Sequence, residues 1–194
     1  MDPKEKTILI TKIGDINPSI INQLKDVLNN ALQQFGLSVK INPISMNIKR
    51  EEFNSRREQY NGSLILQRFS KFTDNLKSFR DLGVIEEDLY TYNLNFIFGL
   101  ARIPQNKFQF SGIALIAIKR LREEFYDKPS NENLLFDRIL KEALHELGHT
   151  FGLEHCLNYC VMRFSNSLSE TDGKPQKFCN SCRKQVSDLV LSLS

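Results

Sequence analysis

Three histidines and four cysteines, the protein's whole stock of both, fall between His145 and Cys182. Scattered structural residues would not crowd in this way, and the simplest chemistry for the cluster is metal binding, with zinc as the ion and two ions as the count. His145 and His149 are separated by four positions. On a helix that spacing turns through about 400°, so both imidazoles project from one face, one turn apart. Glu146 follows the first histidine and points to the cleft side, near a metal without ligating it, where a general base for activated water belongs. Gly152 can end the helix in a left-handed conformation. The chain then turns, and His155 can swing back as a third ligand. Three protein ligands leave one position of a tetrahedral zinc for water, the mark of a catalytic site.

The cysteines read Cys156–x3–Cys160 and Cys179–x2–Cys182, two close pairs separated by 18 residues. That pattern suits a closed four-thiolate zinc site. Two disulfides are the alternative, and a chain without a secretory signal favours the thiolates. Cys156 adjoins His155, so the two sites must be neighbours. Met162 stands just past Cys160, after the histidine motif; an ordinary core methionine is the bland reading, and it does not compete with packing beneath a metal site.

HELGHTFGLEHC at 145–156, CVM at 160–162 and FCNSC at 178–182 together resemble the signature of the archaemetzincins, a branch of the metzincin zinc peptidases. DLYTYNLNFIFGLA at 88–101 is similar as well, and the likeness extends over nearly the whole chain. The resemblance implies an α/β (α+β) metzincin-like fold, with a twisted mixed five-stranded sheet, an active-site helix and a small zinc-stapled C-terminal subdomain. It implies that Met162 is the Met-turn methionine packed beneath the metal. It also implies that Asn95 to Ala101 form an antiparallel edge strand with which substrate pairs. The alternative is an ordinary strand whose edge is covered by residues 102–109.

The elements that must carry these residues are partly legible. Residues 7–14, TILITKIG, read as a strand. Asn17 can cap a helix with Pro18 in its first turn, and Ile20, Ile21, Leu24, Val27, Leu28 and Leu32 recur at helical spacing until Gly36. Residues 37–45 read as a second strand, which predicts a parallel strand–helix–strand unit. Residues 46–62 are polar and predict a loop and a surface helix around Phe53, Arg56, Arg57 and Tyr60. Arg56, Arg57 and Arg68 form a solvated helix face rather than a basic patch, because Glu51, Glu52 and Glu58 are interleaved with them. Leu64, Ile65, Leu66, Phe69 and Phe72 form an apolar helical stripe. Further strands are expected at 78–86, 94–101 and 111–118, the last continuously apolar and central. Gly99 inside a strand suggests the close approach of another backbone. Arg120, Arg122, Glu123 and Glu124 follow on the surface. Ser130 or Asn131 can cap the active-site helix, whose Phe136, Ile139, Leu140, Ala143, Leu144, Leu147 and Phe151 step by three and four on the buried face.

The 194 residues suggest one catalytic domain, an upper part over 1–152 and a lower part over 153–194. The lower part is too short for an independent core and needs a staple, for which a thiolate zinc is worth on the order of 10 kcal/mol to folding. The net charge of +3 is slight, and four thiolates with two divalent ions would leave it there. Nothing in it demands nucleic acid or an anionic membrane. No apolar run suits a signal peptide or a membrane span, and no N-terminal cysteine offers a zinc latch. A cytoplasmic, open, monomeric enzyme acting on peptide or protein is expected. Glu146 would take the proton of the attacking water and deliver it to the leaving amine. Tyr159 and Arg163 are near enough to be suspected of stabilising an oxyanion, although a structural role suits each better. A zinc hydrolase of non-peptide amides and a zinc-stabilised binding module without turnover are the rival readings. Glu146 argues against the latter, since a scaffold has no use for that carboxylate.

Overall fold

The computed structural model describes residues 6–76, 78–103 and 112–192. In chain order its strands are β1 (Thr7–Ile13), β2 (Ser38–Ile41), β3 (Phe53–Asn54), β4 (Gln59–Asn61), β5 (Arg80–Ile85), β6 (Leu89–Thr91), β7 (Leu94–Ile97), β8 (Gly99–Arg102) and β9 (Gly112–Ala117). The helices are α1 (Pro18–Leu32), α2 (Gly62–Thr73), α3 (Glu132–Thr150), α4 (Leu168–Gly173) and α5 (Asn180–Ser192). Asn17 caps α1 by accepting from the Ser19 N–H at 2.9 Å, and Pro18 opens the helix. Gly36 ends the following 3₁₀ turn at φ +70°, a conformation that glycine adopts without strain.

A five-stranded sheet runs in the order β2-β1-β5-β9-β8. The first four strands are parallel, and β8 is antiparallel to β9 at the sheet edge. This is the expected mixed sheet. All six residues of β5 and all six of β9 are buried, as parallel strands covered on both faces should be. Alternate residues feed opposite layers. Ala114 and Ile116 of β9 join the core beneath α1 and α3, whereas Ile113, Leu115 and Ala117 pack with Ile65, Leu66 and Phe69 of α2. Leu64 departs from the expected stripe and is exposed.

Three expectations are corrected. The helix predicted around Phe53, Arg56, Arg57 and Tyr60 is a hairpin, with β3 antiparallel to β4. Arg56, Arg57 and Glu58 lie in its turn, where Asn54 Oδ1 accepts from the Arg56 and Arg57 N–H groups, whereas Glu51 and Glu52 precede β3 in a 3₁₀ turn. Arg68 sits apart on α2, forked onto Glu52 at 2.7 and 2.8 Å. Second, the single strand expected at 94–101 is broken at Phe98. Its first half, β7, joins a separate four-stranded sheet in the order β3-β4-β6-β7, and only its second half, β8, lies on the main sheet. Third, Arg120 and Arg122 are not simply surface residues. They make paired bonds to Asp88 and Glu86, which tie the segment after β9 to that after β5.

The C-terminal segment contributes Val161, Met162, Phe178, Cys182, Val186, Leu189 and Val190 to the main core. It is anchored by burial as well as by whatever its cysteines hold. Among the described residues no helix is long and apolar enough to cross a membrane. Ser111 of the last predicted strand, and residues 104–109 of the segment expected as the alternative cover for β8, lie outside the described residues.

Candidate active site

α3 carries two of the three histidines because its local sequence is a well-terminated helix. Asn131, one of the two predicted caps, accepts from the Leu134 N–H at 3.1 Å. At the other end Gly152 adopts φ +84°, the Gly152 N–H donates to His149 O and the Leu153 N–H donates to Gly148 O. That pair of bonds is a Schellman closure, which turns the chain sharply and brings His155 back toward the helix. One nitrogen from each of His145, His149 and His155 lies within 4.8 Å of the others.

The tautomers are set from outside the helix. His145 Nδ1 lies 3.0 Å from Val161 O, and His149 Nδ1 lies 2.8 Å from Leu153 O. A carbonyl can only accept, so both Nδ1 atoms carry the proton and both Nε2 atoms present lone pairs. Those lone pairs face each other at 3.1 Å. Two acceptors at that range repel unless a cation lies between them. The spacing is close to the edge of about 3.3 Å expected for two ligands at ~2.0–2.1 Å on a tetrahedral zinc. Burial pushes His145 down to about 3, with the Lys174 charge adding to the effect, and burial lowers His149 and His155 as well. All three imidazoles are therefore neutral near pH 7, the form that binds metal. The donor set fits zinc.

Val161 comes to His145 from the loop that holds Met162. The Val161 N–H donates to Lys177 O at 2.9 Å and the Arg163 N–H to Cys160 O at 3.1 Å, which fix that loop. Met162 is fully buried under α3. A Cβ on Gly148 would collide with its Sδ atom, so only glycine lets this helix turn rest on the methionine.

Glu146 is buried beside His145 and lines the same cleft. Burial raises its carboxyl well above the usual range, the charge of Glu142 adds to that, and Lys174 opposes it. The close approach predicted at Gly99 exists, but the partner is a side chain rather than a backbone. A Cβ there would come within 2.5 Å of Glu146 Cγ and 2.6 Å of its Oε1. β8 thus presses directly on Glu146.

The second cluster is also assembled. The four sulfurs of Cys156, Cys160, Cys179 and Cys182 lie within 4.8 Å of one another, and all four cysteines are free thiols. Cys156 Sγ and Cys179 Sγ are 3.8 Å apart, the edge of about 3.8 Å that ~2.3 Å zinc–sulfur bonds produce in a tetrahedron. The Cys179 N–H donates to Cys160 Sγ at 3.2 Å, and Asn158 Nδ2 donates to Cys179 Sγ at 3.8 Å. Hydrogen bonds, led by the Cys182 backbone N–H, pull the Cys179 thiol down to about 6, toward the thiolate that a metal requires.

A cleft of about 500 Å³ opens over the histidines. Residues 94–101 form one wall, and Phe164, Ser165 and Asn166 the other, with Glu142 and Lys174 joining the lining. Phe164 packs on His155 with ring centroids 4.8 Å apart. Tyr159 and Arg163 do not line the cleft, and Tyr159 is 66% exposed. Sequence reasoning missed Glu142, Ser165 and Lys174. Glu142 was within reach of it, since it lies one turn before Glu146 on the same helix face. Lys174 is far along the chain and carries no such signal.

The model of the family described as Peptidase family M54 matches residues 6–188. An archaemetzincin of Methanocaldococcus jannaschii is 39% identical over 188 residues, covering 96% of this chain and 96% of that protein. An archaemetzincin of Pyrococcus furiosus is 38% identical over 183 residues, covering 93% of this chain and 92% of the relative. Among solved structures, a zinc-dependent peptidase of Methanocorpusculum labreanum superposes with a TM-score of 0.78 at 28% identity, over 92% of this chain and 99% of that one. With the histidine and thiol clusters formed and the fold shared along its length, the chain belongs to peptidase family M54, the archaemetzincins, and is a zinc metallopeptidase.

Proposed function

We propose that His145, His149 and His155 hold a catalytic zinc, that Cys156, Cys160, Cys179 and Cys182 hold a second, structural one, and that Glu146 is the general base of peptide hydrolysis. The observation that carries this reading is the pair of unprotonated Nε2 atoms facing each other at 3.1 Å, with both Nδ1 protons committed to backbone carbonyls. When bound there, zinc supplies a water of lowered pKa, polarisation of the scissile carbonyl, and the positive charge that returns Glu146 to its ionised form. Glu146 takes a proton as water attacks the carbonyl carbon and then gives it to the departing amine. β8 offers to an extended substrate an edge that has no strand partner among the described residues, which lays the scissile bond across the cleft. Met162 supports the helix turn beneath the histidines. The upper part, residues 1–152, supplies the sheet and the helix, and the lower part, 153–194, supplies the third histidine and the thiol cluster.

Elemental analysis of protein purified without added metal should find close to two zinc ions per chain, and His149→Ala should reduce this to one. Chelation should abolish peptide cleavage, and zinc should restore it. One ion in the wild type, or a mass showing two disulfides, would remove the second site.

The pressure of β8 on Glu146 gives a separate test. Gly99→Ala should displace the carboxylate while leaving zinc content and fold in place, because the residue lies in extended backbone that alanine also adopts. A misplacement of about 1 Å at a reacting group costs about a hundredfold, so kcat should fall by one to two orders of magnitude. Wild-type kcat in this variant would show that the strand does not position Glu146.

A further inference from the structure

Lys174 is an unusual neighbour for a hydrolytic centre. Its side chain is 1% exposed, and its ammonium is paired with Glu142 Oε1 at 2.8 Å. Burying such a charge is costly, and one carboxylate offsets only part of the cost. A lysine carries three N–H donors. Glu142 takes one, and no other acceptor for Lys174 Nζ appears among the described residues. The pair is held from both sides. The Lys174 N–H donates to Thr171 O at 3.4 Å, and Thr171 Oγ1 donates to Glu142 Oε1 at 3.4 Å. The ammonium acts electrostatically on all three histidines and on Glu146, so it stands close to the reacting centre.

The same cleft holds a second unused group. Ser165 Oγ is buried and has no partner among the described residues, and Ser165 lines the cleft with Glu142 and Lys174. A buried hydroxyl without a partner costs free energy unless something arrives to satisfy it. A cleft that offers spare donors from a cation and a hydroxyl is complementary to an anion with several lone pairs. A carboxylate is the anion that a peptide carries.

We propose that Lys174, with Ser165 beside it in the cleft wall, is a specificity residue that binds a carboxylate of the substrate close to the scissile bond. The carboxylate is an Asp or Glu side chain, or the terminal carboxylate of a peptide cut near its C-terminus. The proposal rests on the peptidase reading given above. With a dication on the histidines, the negative charges of Glu142 and Glu146 and the positive charge of Lys174 leave the cleft net positive, as an anionic group requires. Glu142 keeps Lys174 in place while the cleft is empty, and the substrate then shares the ammonium with it.

The test uses the zinc-loaded full chain and paired peptides. In one arm each Asp or Glu is matched with Asn or Gln. In the other, each free C-terminus is matched with its amide. We expect the carboxylate member to be favoured by about ten- to a hundredfold in kcat/KM, the worth of a charge-assisted hydrogen bond. The arm that shows the preference names the source of the carboxylate. Lys174→Met alone would strand a buried Glu142, so the variant is Glu142→Gln with Lys174→Met, its fold checked by Tm and zinc content. Within that variant the ratio between paired peptides should fall to about threefold or less. Equal handling of the pairs by the wild type, or a preference that survives in the double variant, overturns the proposal. Binding of the same peptides to Glu146→Gln protein, measured by calorimetry, separates the two readings. If the wild type cleaves nothing, the peptidase mechanism fails. Tighter binding of carboxylate peptides that is lost on adding the Glu142→Gln and Lys174→Met changes still supports the subsite, and equal binding overturns it.

Discussion

Replacing Glu146 by Gln should leave a folded protein with its full zinc content and almost no peptidase activity. Glutamine is nearly isosteric and fits the narrow space under β8, where a Cβ on Gly99 would come within 2.6 Å of Glu146 Oε1. The change also removes a buried carboxyl that burial and the Glu142 charge both disfavour in its ionised form, so stability should hold or rise slightly. What is lost is proton transfer. An amide cannot take a proton from the attacking water, and it cannot return one to the leaving amine. General acid–base assistance is worth about 10²–10⁴-fold, and one residue serving both transfers belongs at or above the upper end. Steady-state kcat on a fluorogenic peptide, with zinc measured on the same sample, checks this. Wild-type turnover at unchanged metal content would mean that another group activates the water.

The second large effect is on stability. Cys179→Ser should lower Tm by about 10 °C or more, whereas His149→Ala should cost only a few degrees and remove activity completely. A four-thiolate zinc contributes on the order of 10 kcal/mol to folding, and at this chain length each kcal/mol moves Tm by about 2–4 °C. The structure adds a reason that the loss should spread. Cys179 precedes α5, and its carbonyl accepts from the Arg183 N–H at 2.8 Å. That helix places Val186, Leu189 and Val190 in the main core. Loosening the cysteine end therefore loosens packing well beyond the metal. His145 and His149, by contrast, sit on a helix that its own core face and its end closures hold. Thermal scans of both variants, with and without zinc, test the division. Equal destabilisation would show that the two sites share the structural load.

Much of the chemistry was legible in order along the chain. His145, Glu146 and His149 share a helix face because helical spacing dictates it, and Gly152 marks the turn that returns His155. The cysteine pairs announced themselves by spacing, and the helical apolar period of α1 and the continuous apolar run of β9 indicated buried elements. Such signals are local, and each can be read within about 15 residues. Very short strands carry no period to read. β3, β4, β6 and β7 hold two to four residues each, so the second sheet went unseen and the hairpin at 53–61 passed for a polar helix. Tertiary structure alone set the relations between distant residues. It placed Val161 O on His145, laid Gly99 against Glu146, and brought Lys174 to Glu142 across 32 positions. Sequence spacing specifies which side chains share a face of one element. The protonated nitrogen of a histidine, the room left to a catalytic carboxylate and the partner of a buried lysine depend on what the rest of the fold packs against that face.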